Sequence, residues 1–292
     1  MTIAITAASG RLGHAILREL GRHGRTGDVV AVARDPGRVQ VPGVGKRAGD
    51  YASLASMTAA LAGIDTAIMI SAPVAGGSER IPLHRNVIEA ARNAGVRRVL
   101  FTSVIGNGRE MDTYFGATQR VNRQTEADLQ ASGLEWLIGR NGLYLELDLI
   151  QMRKAQDTGV YSNPAGDGRC PYITIDEIAC AYARLAVDGQ QAGQIYNITS
   201  ENLTQADLLA LACGIFGLDV RYEAMTDEAC IDKFRRLMPE RGEAVAHMLT
   251  GCFQSIRAGA FDVPSHFREA AGRPPKTVRE MLVGLAAAQG VS

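Results

Sequence analysis

No stretch of this chain approaches the roughly 18 uninterrupted apolar residues that a membrane-crossing helix requires. The apolar segment nearest the N-terminus, Ile3 to Ile5, is far shorter than a secretory signal core, and Ser and Gly follow closely. Charge of one sign is also lacking. Lys plus Arg and Asp plus Glu number 31 each, so the formal net charge is zero. The densest basic spot, Arg235-Arg236, is too short to track a phosphate backbone, and nucleic acid is not an expected partner. The five cysteines (Cys170, Cys180, Cys213, Cys230 and Cys252) show no C-x-x-C spacing and are odd in number. Reduced, mostly buried thiols in a cytoplasmic protein are expected rather than a disulfide framework. The five histidines are dispersed, and no metal site is read.

What is present is a regular alternation. Ile3-Ala4-Ile5-Thr6 is a short apolar strand, Ala7 to Gly10 a small-residue turn, and Leu12, Ile16, Leu17 and Leu20 recur at helical spacing. Val29–Ala33 and Ala67–Ile70 are continuous apolar runs, as strands buried on both faces should be. A helix over Val87–Ala94, a strand over Val99–Ser103, a helix ending near Ala131 and a strand over Leu134–Ile138 continue the pattern. Val44–Ala48, with Gly, Lys and Arg, is the least strand-like member. Buried strands alternating with helices imply an α/β fold, a doubly wound parallel sheet of Rossmann type. Past residue 145 the character changes, with helices over Asp176–Val187 and Thr204–Phe216 and short strands at Ile195–Thr199 and Val220–Tyr222. The expected division is a dinucleotide-binding domain over 1–145, with a return strand near 195–199, and a smaller α/β substrate subdomain over 146–292.

The strongest chemical signal lies where the first strand meets the first helix, at Thr6-Ala7-Ala8-Ser9-Gly10-Arg11-Leu12-Gly13. Unpaired amides at a helix N-terminus suit a diphosphate, aided by the helix dipole. Gly10 would let the phosphate approach the backbone, and Gly13 would let helix and strand pack closely. A three-glycine fingerprint would have Gly where Ala7 stands. The second strand ends in Arg34, a cation suited to a 2′-phosphate, where an NAD-specific site would place a carboxylate. Arg11 could form the other side of that pocket. Asp50 is read either as an acceptor for the adenine amino group or as a cap for a helix beginning near Tyr51. NADP(H) is therefore the expected cofactor, with NAD(H) as the alternative.

With these segments, the chain resembles the NmrA-like atypical short-chain dehydrogenases. The resemblance is carried by Ile5–Gly13, Val32–Pro36, Gly49–Tyr51, His84–Ala91 with Gly95-Val96, and Thr102-Ser103. Arg140–Tyr144, Gly166–Arg169, Asp176–Ala179 and Gly272–Thr277 extend it over nearly the whole chain. Within the family it looks most like the type-2 NADPH:quinone oxidoreductases and the triphenylmethane reductases. The resemblance implies substrate in a cleft between the two parts, and cofactor contacts at Ala8, Ser9, Gly10, Arg11, Leu12, Arg34, Asp50, Ser71, Ala72, Pro73, Thr102, Ser103, Asn141, Gly142 and Tyr144.

One pattern is missing. Most short-chain dehydrogenases use Tyr-x-x-x-Lys to exchange a proton with a carbonyl oxygen. Here Tyr114 is followed four residues later by Thr118, and the following helix carries Asn122-Arg123-Gln124-Thr125-Glu126. Strong electrophiles need orientation and exclusion of water more than a protein acid. The expectation is NAD(P)H-dependent hydride transfer to a quinone-like or polycyclic aromatic substrate, with Tyr144 and Asn141 as the candidate catalytic residues that orient it. Two alternatives stand beside it. One is a tailoring enzyme of aromatic natural-product biosynthesis, acting by oxygenation or reduction. The other is a non-catalytic, NmrA-type redox-sensing regulator that binds NAD(P). Trp136 is read as core, His14 as structural, and His84 as a residue at a helix start with some reach toward the cofactor. No pattern specifies an oligomeric state.

Overall fold

A computed structural model describes residues 1–73, 79–188 and 191–290. The strands of the first half are β1 (Ile3–Ile5), β2 (Val29–Ala33), β3 (Gly45–Ala48), β4 (Thr66–Met69), β5 (Arg98–Val104) and β6 (Glu135–Asn141). They are followed by β7 (Leu143–Tyr144), β8 (Val160–Asn163), β9 (Arg169–Ile173), β10 (Gln194–Ile198), β11 (Asn202–Thr204) and β12 (Arg221–Ala224). The main sheet has seven parallel strands in the order β10-β6-β5-β4-β1-β2-β3. The Rossmann-like fold class expected from the alternation is therefore the one observed. Direction of winding reverses between β1 and β4, the switch point at which such sheets open a crevice beyond their carboxyl ends.

Local chemistry explains these elements. β2, Val-Val-Ala-Val-Ala, is buried along its whole length because helices cover both its faces. β3 is also a strand, but it is the edge strand, and its mostly exposed residues account for its weak apolar signal. The helices are α1 (Arg11–Arg22), α2 (Leu54–Leu61), α3 (Arg80–Asn93), α4 (Gly116–Gln130), α5 (Leu145–Lys154) and α6 (Ile175–Val187), then α7 (Gln205–Phe216), α8 (Asp227–Leu237), α9 (Glu243–Arg257), α10 (Phe267–Ala271) and α11 (Val278–Ala288). α1 buries Leu12, Ile16, Leu17 and Leu20 and packs on α6 on one face of the sheet. α2, α3 and α4 pack in succession on the other face. Alternation along β5 sends Leu100 to the first side and Val99 and Phe101 to the second. α3 begins seven residues before the expected Val87, with Pro82 tolerated in its first turn.

After β6 the chain crosses into a second sheet of order β11-β9-β7. Gly142 alone separates the two sheets. Its amide donates to Ile198 O at 2.9 Å, and a Cβ there would stand 2.8 Å from Pro171 O, so a side chain has no room at the crossing. β10 then returns to the main sheet beside β6. Among the described residues no helix is long and apolar enough to cross a membrane, and no group of three His, Cys, Asp or Glu is placed to hold a metal.

Candidate functional site

The site is built on the loops that leave the carboxyl ends of β1, β2, β4, β5 and β6. The turn after β1 is held from both sides: Ala8 N donates to Val32 O at 3.0 Å, and Gly10 N donates to Ala7 O at 3.1 Å. Ala7 sits at φ +48°, alone among the described non-glycine residues in having positive φ. The missing first glycine of the fingerprint is thus replaced by a strained alanine that keeps the same left-handed turn. Gly13 is required by packing, because a Cβ there would lie 2.7 Å from the Cα of Ala8. Gly10 is different. The only protein atom near a Cβ at that position is Ala7 O at 3.4 Å, an ordinary contact. Gly10 caps α1 without any side-chain acceptor, so the first-turn amides lack the cap that Ser53 gives α2 and Thr174 gives α6. Ala8 and Leu12 are buried and offer the crevice backbone only, while Ser9 and Arg11 reach the surface.

Arg11 and Ser9 line a cleft of 370 Å³ together with His14, Arg18, Glu146 and Asp176. The Arg11 charge acts on Glu146 at the start of α5. His14 bonds Gly10 O through Nδ1 at 3.1 Å and accepts from Gln40 N at 3.4 Å. It ties the turn to the segment after β2, which is the structural role expected of it.

Arg34 projects, exposed, from the end of β2. Gly49 N donates to Ala33 O at 3.0 Å, so the ends of β2 and β3, with Arg34 and Asp50, are neighbours. Asp50 is not a helix cap. Ser53 caps α2, while Asp50 Oδ1 closes a turn by accepting from Ala52 N at 3.0 Å.

Tyr51 was not singled out from the sequence. Its hydroxyl donates to Ile70 O at 2.7 Å beyond β4 and is hydrogen-bonded to the Thr6 hydroxyl beyond β1. It thereby links the segments that leave β1 and β4 on either side of the switch point. Position next to Asp50 was the only sequence signal for it.

Ser71, Ala72 and Pro73 follow β4. Ser71 N donates to Thr102 Oγ1 at 2.9 Å, joining two of the expected site segments. Ala72 N donates to His84 Nε2 at 2.9 Å, and His84 Nδ1 is 2.7 Å from Thr125 Oγ1. Burial and the neighbouring Arg80 charge hold the His84 imidazole neutral, its pKa lowered to about 3. His84 is therefore a brace under the loop, and both its ring nitrogens are engaged by protein. The middle of the Ser71–Ile81 loop, 74–78, lies outside the described residues.

Ser103 is turned away from Thr102. Its hydroxyl donates to Glu126 Oε1 of α4 at 2.6 Å, within a buried network that includes Arg123 and Arg140. At the end of β6, Asn141 is buried. The Tyr182 hydroxyl stands 3.1 Å from its Oδ1, and its Nδ2 donates to Tyr144 OH at 3.5 Å. Desolvation pushes the Tyr144 phenol up to about 12, so it is a neutral hydrogen-bonding group across the ordinary pH range. Tyr114 lies elsewhere. It is 47% exposed and packs edge-on against His247 of α9. Trp136 packs against the apolar cluster on the α2–α3 face, as expected.

Three comparisons bear on this geometry. A family model described as NAD(P)H-binding matches residues 7–159. The chain is 30% identical to quinone oxidoreductase 2 of Escherichia coli over 287 residues, 96% of this chain and 97% of that one. It is 29% identical to an NmrA-like family domain-containing oxidoreductase of Aspergillus flavus, over 97% of this chain and 95% of the relative. Among solved structures, the E. coli NADPH-dependent quinone oxidoreductase complexed with NADPH superposes with a TM-score of 0.87 at 29% identity, covering 97% of this chain and 99% of that one.

Proposed function

This chain belongs to the NAD(P)H-binding family, in its NmrA-like branch, and from that premise we propose that it is an oxidoreductase that holds NADP(H) across the β1/β4 switch and reduces a quinone-like or extended aromatic acceptor. The observation that carries the reading is the uncapped N-terminus of α1 at the switch point. Its first-turn amides, beyond that of Gly10, have no side-chain cap, and Gly10 keeps the approach clear although the protein itself has room for a methyl group there.

The residues fit the cofactor in order along the crevice. The amides of Ser9, Arg11 and Leu12 would meet the diphosphate, that of Gly10 being taken by Ala7 O. Arg34 supplies a cation for a 2′-phosphate, and Asp50 an acceptor at the adenine end. Ser71, braced by Thr102, and Ala72, braced by His84, would border the nicotinamide half together with Pro73, with Asn141 beyond them. Gly142 serves the crossing between sheets, and the Ser103 side chain serves the α4 network.

When bound, the reduced nicotinamide supplies a hydride. The chain's own residues orient the acceptor and exclude water. Tyr144, with its phenol protonated, offers a hydrogen bond to an acceptor oxygen, and Asn141 fixes that phenol. Relatives carrying quinone oxidoreductase names, and the absence of a lysine four residues after Tyr114, favour an electrophile that accepts hydride without a strong protein acid. Stopped-flow mixing with NADPH and a panel of quinones tests the reading. Acceptor-dependent loss of the reduced cofactor's near-ultraviolet band is expected. Saturable nucleotide binding with no turnover across the panel would instead favour a redox-sensing role.

A further inference from the structure

We propose that Arg80, a buried guanidinium with no carboxylate partner among the described residues, beside the loop that follows β4, makes the nicotinamide end of the crevice electropositive, so that the protein holds the reduced dinucleotide more tightly than the oxidised one. This rests on the cofactor reading above.

Arg80 is 3% exposed. Its Nη2 donates to Ser71 Oγ and to Asn122 Oδ1, the latter at 3.3 Å. Among the described residues, Nε and Nη1 are buried and have no hydrogen-bond partner. Among the described residues no carboxylate acts on it, and burial alone lowers its pKa to about 10. It remains charged at neutral pH. Its position opposes a second preference. Arg80 opens α3, and the N-terminus of a helix is its electropositive end, where a cation is disfavoured. A desolvated charge that is unpaired and set against a helix dipole costs folding free energy, and nothing in the packing returns it.

The neighbouring charges do not cancel it. On the α4 side, Arg123 and Arg140 face Glu126, and Arg123 lies 3.9 Å from Glu110, so two cations meet two anions. His84, one turn along α3, is neutral. The carboxyl ends of β4 to β6 therefore carry one unbalanced positive charge among these buried groups, and it belongs to Arg80.

In a doubly wound sheet, the half that begins beyond the switch point receives the nicotinamide mononucleotide. Ser71, which accepts from Arg80, stands at its entrance. The two redox states of the cofactor differ in one respect that matters here. The reduced ring is neutral, whereas the oxidised ring carries a positive charge. Every phosphate and adenine contact is common to both, so an unbalanced cation acts on their difference. A tenfold preference, equivalent to 1.4 kcal/mol, is modest for like charges in a partly desolvated site. The same bias would expel the oxidised product after hydride transfer. Arg80 is accordingly a positioning residue that acts through charge and takes no part in proton or hydride movement.

The test is calorimetric titration of the full-length protein with NADPH and with NADP⁺. Wild type should bind NADPH about tenfold more tightly or better. Arg80→Gln should bring the two affinities together, chiefly by tightening NADP⁺, and Arg80→Lys should keep most of the preference. Asn122→Asp neutralises the charge in place, next to Nη2, and should narrow the ratio even if Arg80→Gln fails to fold. A ratio unchanged in Arg80→Gln or in Asn122→Asp overturns the proposal, as does parallel weakening of both nucleotides, which a purely structural arginine would give. Equal wild-type affinities overturn it while leaving the cofactor reading intact, whereas no binding of either nucleotide removes that reading itself.

Discussion

Gly10 and Gly13 lie three residues apart in one turn, yet substitution by alanine should injure different properties. At Gly13 the new methyl carbon would meet backbone, the Cα of Ala8 at 2.7 Å and its carbonyl oxygen at 2.8 Å. The turn backbone at Ala8, tied to β2 through Val32 O, cannot rotate aside, so the start of α1 must lift from the turn. Overpacking of this kind costs about 1–3 kcal/mol, and the better helix propensity of alanine returns up to about 1 kcal/mol. The net expectation is a loss of about 1–2 kcal/mol and a midpoint lowered by roughly 2–4 °C per kcal/mol. At Gly10 the methyl group meets only Ala7 O at 3.4 Å, so the free protein should melt within about 1 °C of wild type. The methyl would project where the diphosphate approaches, and NADPH affinity should fall at least about tenfold, or 1.4 kcal/mol. Thermal melts followed by circular dichroism, with fluorescence titration of NADPH, read both effects. Equal destabilisation by the two substitutions, or unaltered NADPH affinity in Gly10→Ala, would refute the assignment of one glycine to packing and the other to ligand.

Three further expectations follow from single side chains. Arg34→Ala should weaken NADPH about tenfold or more while leaving NADH nearly untouched, as measured by competition titration; equal losses for both would remove Arg34 from the 2′-phosphate. Tyr144→Phe should lower kcat with an acceptor while preserving NADPH affinity, and the wild-type rate should show no basic limb from this phenol below about pH 10, because its pKa is raised to about 12; a limb between pH 8 and 9 that vanished in Tyr144→Phe would contradict this. Asp148 is buried against the Tyr161 hydroxyl at 2.9 Å, and desolvation raises its pKa from 3.8 to about 6. Folding favours its protonated form, so that contribution is complete below pH 3.8 and is lost as the pH rises through about 6. Asp148→Asn should therefore raise stability by about 3 kcal/mol at pH 8 and change it little at pH 4, which urea melts at the two pH values can check.

Much of the frame was legible because burial on both faces writes itself as unbroken apolar runs, as in Val29–Ala33. Gly13 was legible for a similar reason: at a strand–helix junction, close packing leaves glycine as the residue that fits. β3 was faint because an edge strand has no need of two apolar faces. Ser103 and Thr102 were grouped together, although alternation along a strand turns neighbours to opposite faces, and Ser103 shares its side with Phe101 and α4. Arg80 and Tyr51 escaped notice because their meaning is long-range. Tyr51 matters through Ile70, and Arg80 through the lack of any carboxylate around it, a property that no local pattern records.

The passage through Gly142 leaves almost no slack between the end of β6, which carries Asn141, and the start of the second sheet, which carries Tyr144. A rotation of one sheet against the other would be transmitted to the Asn141–Tyr144 pair with little lost in an intervening linker. Variation in acceptor preference among chains with this architecture is accordingly easier to accommodate in the segments after β7 than in the crossing itself, where adding even a methyl group would pry the two layers apart.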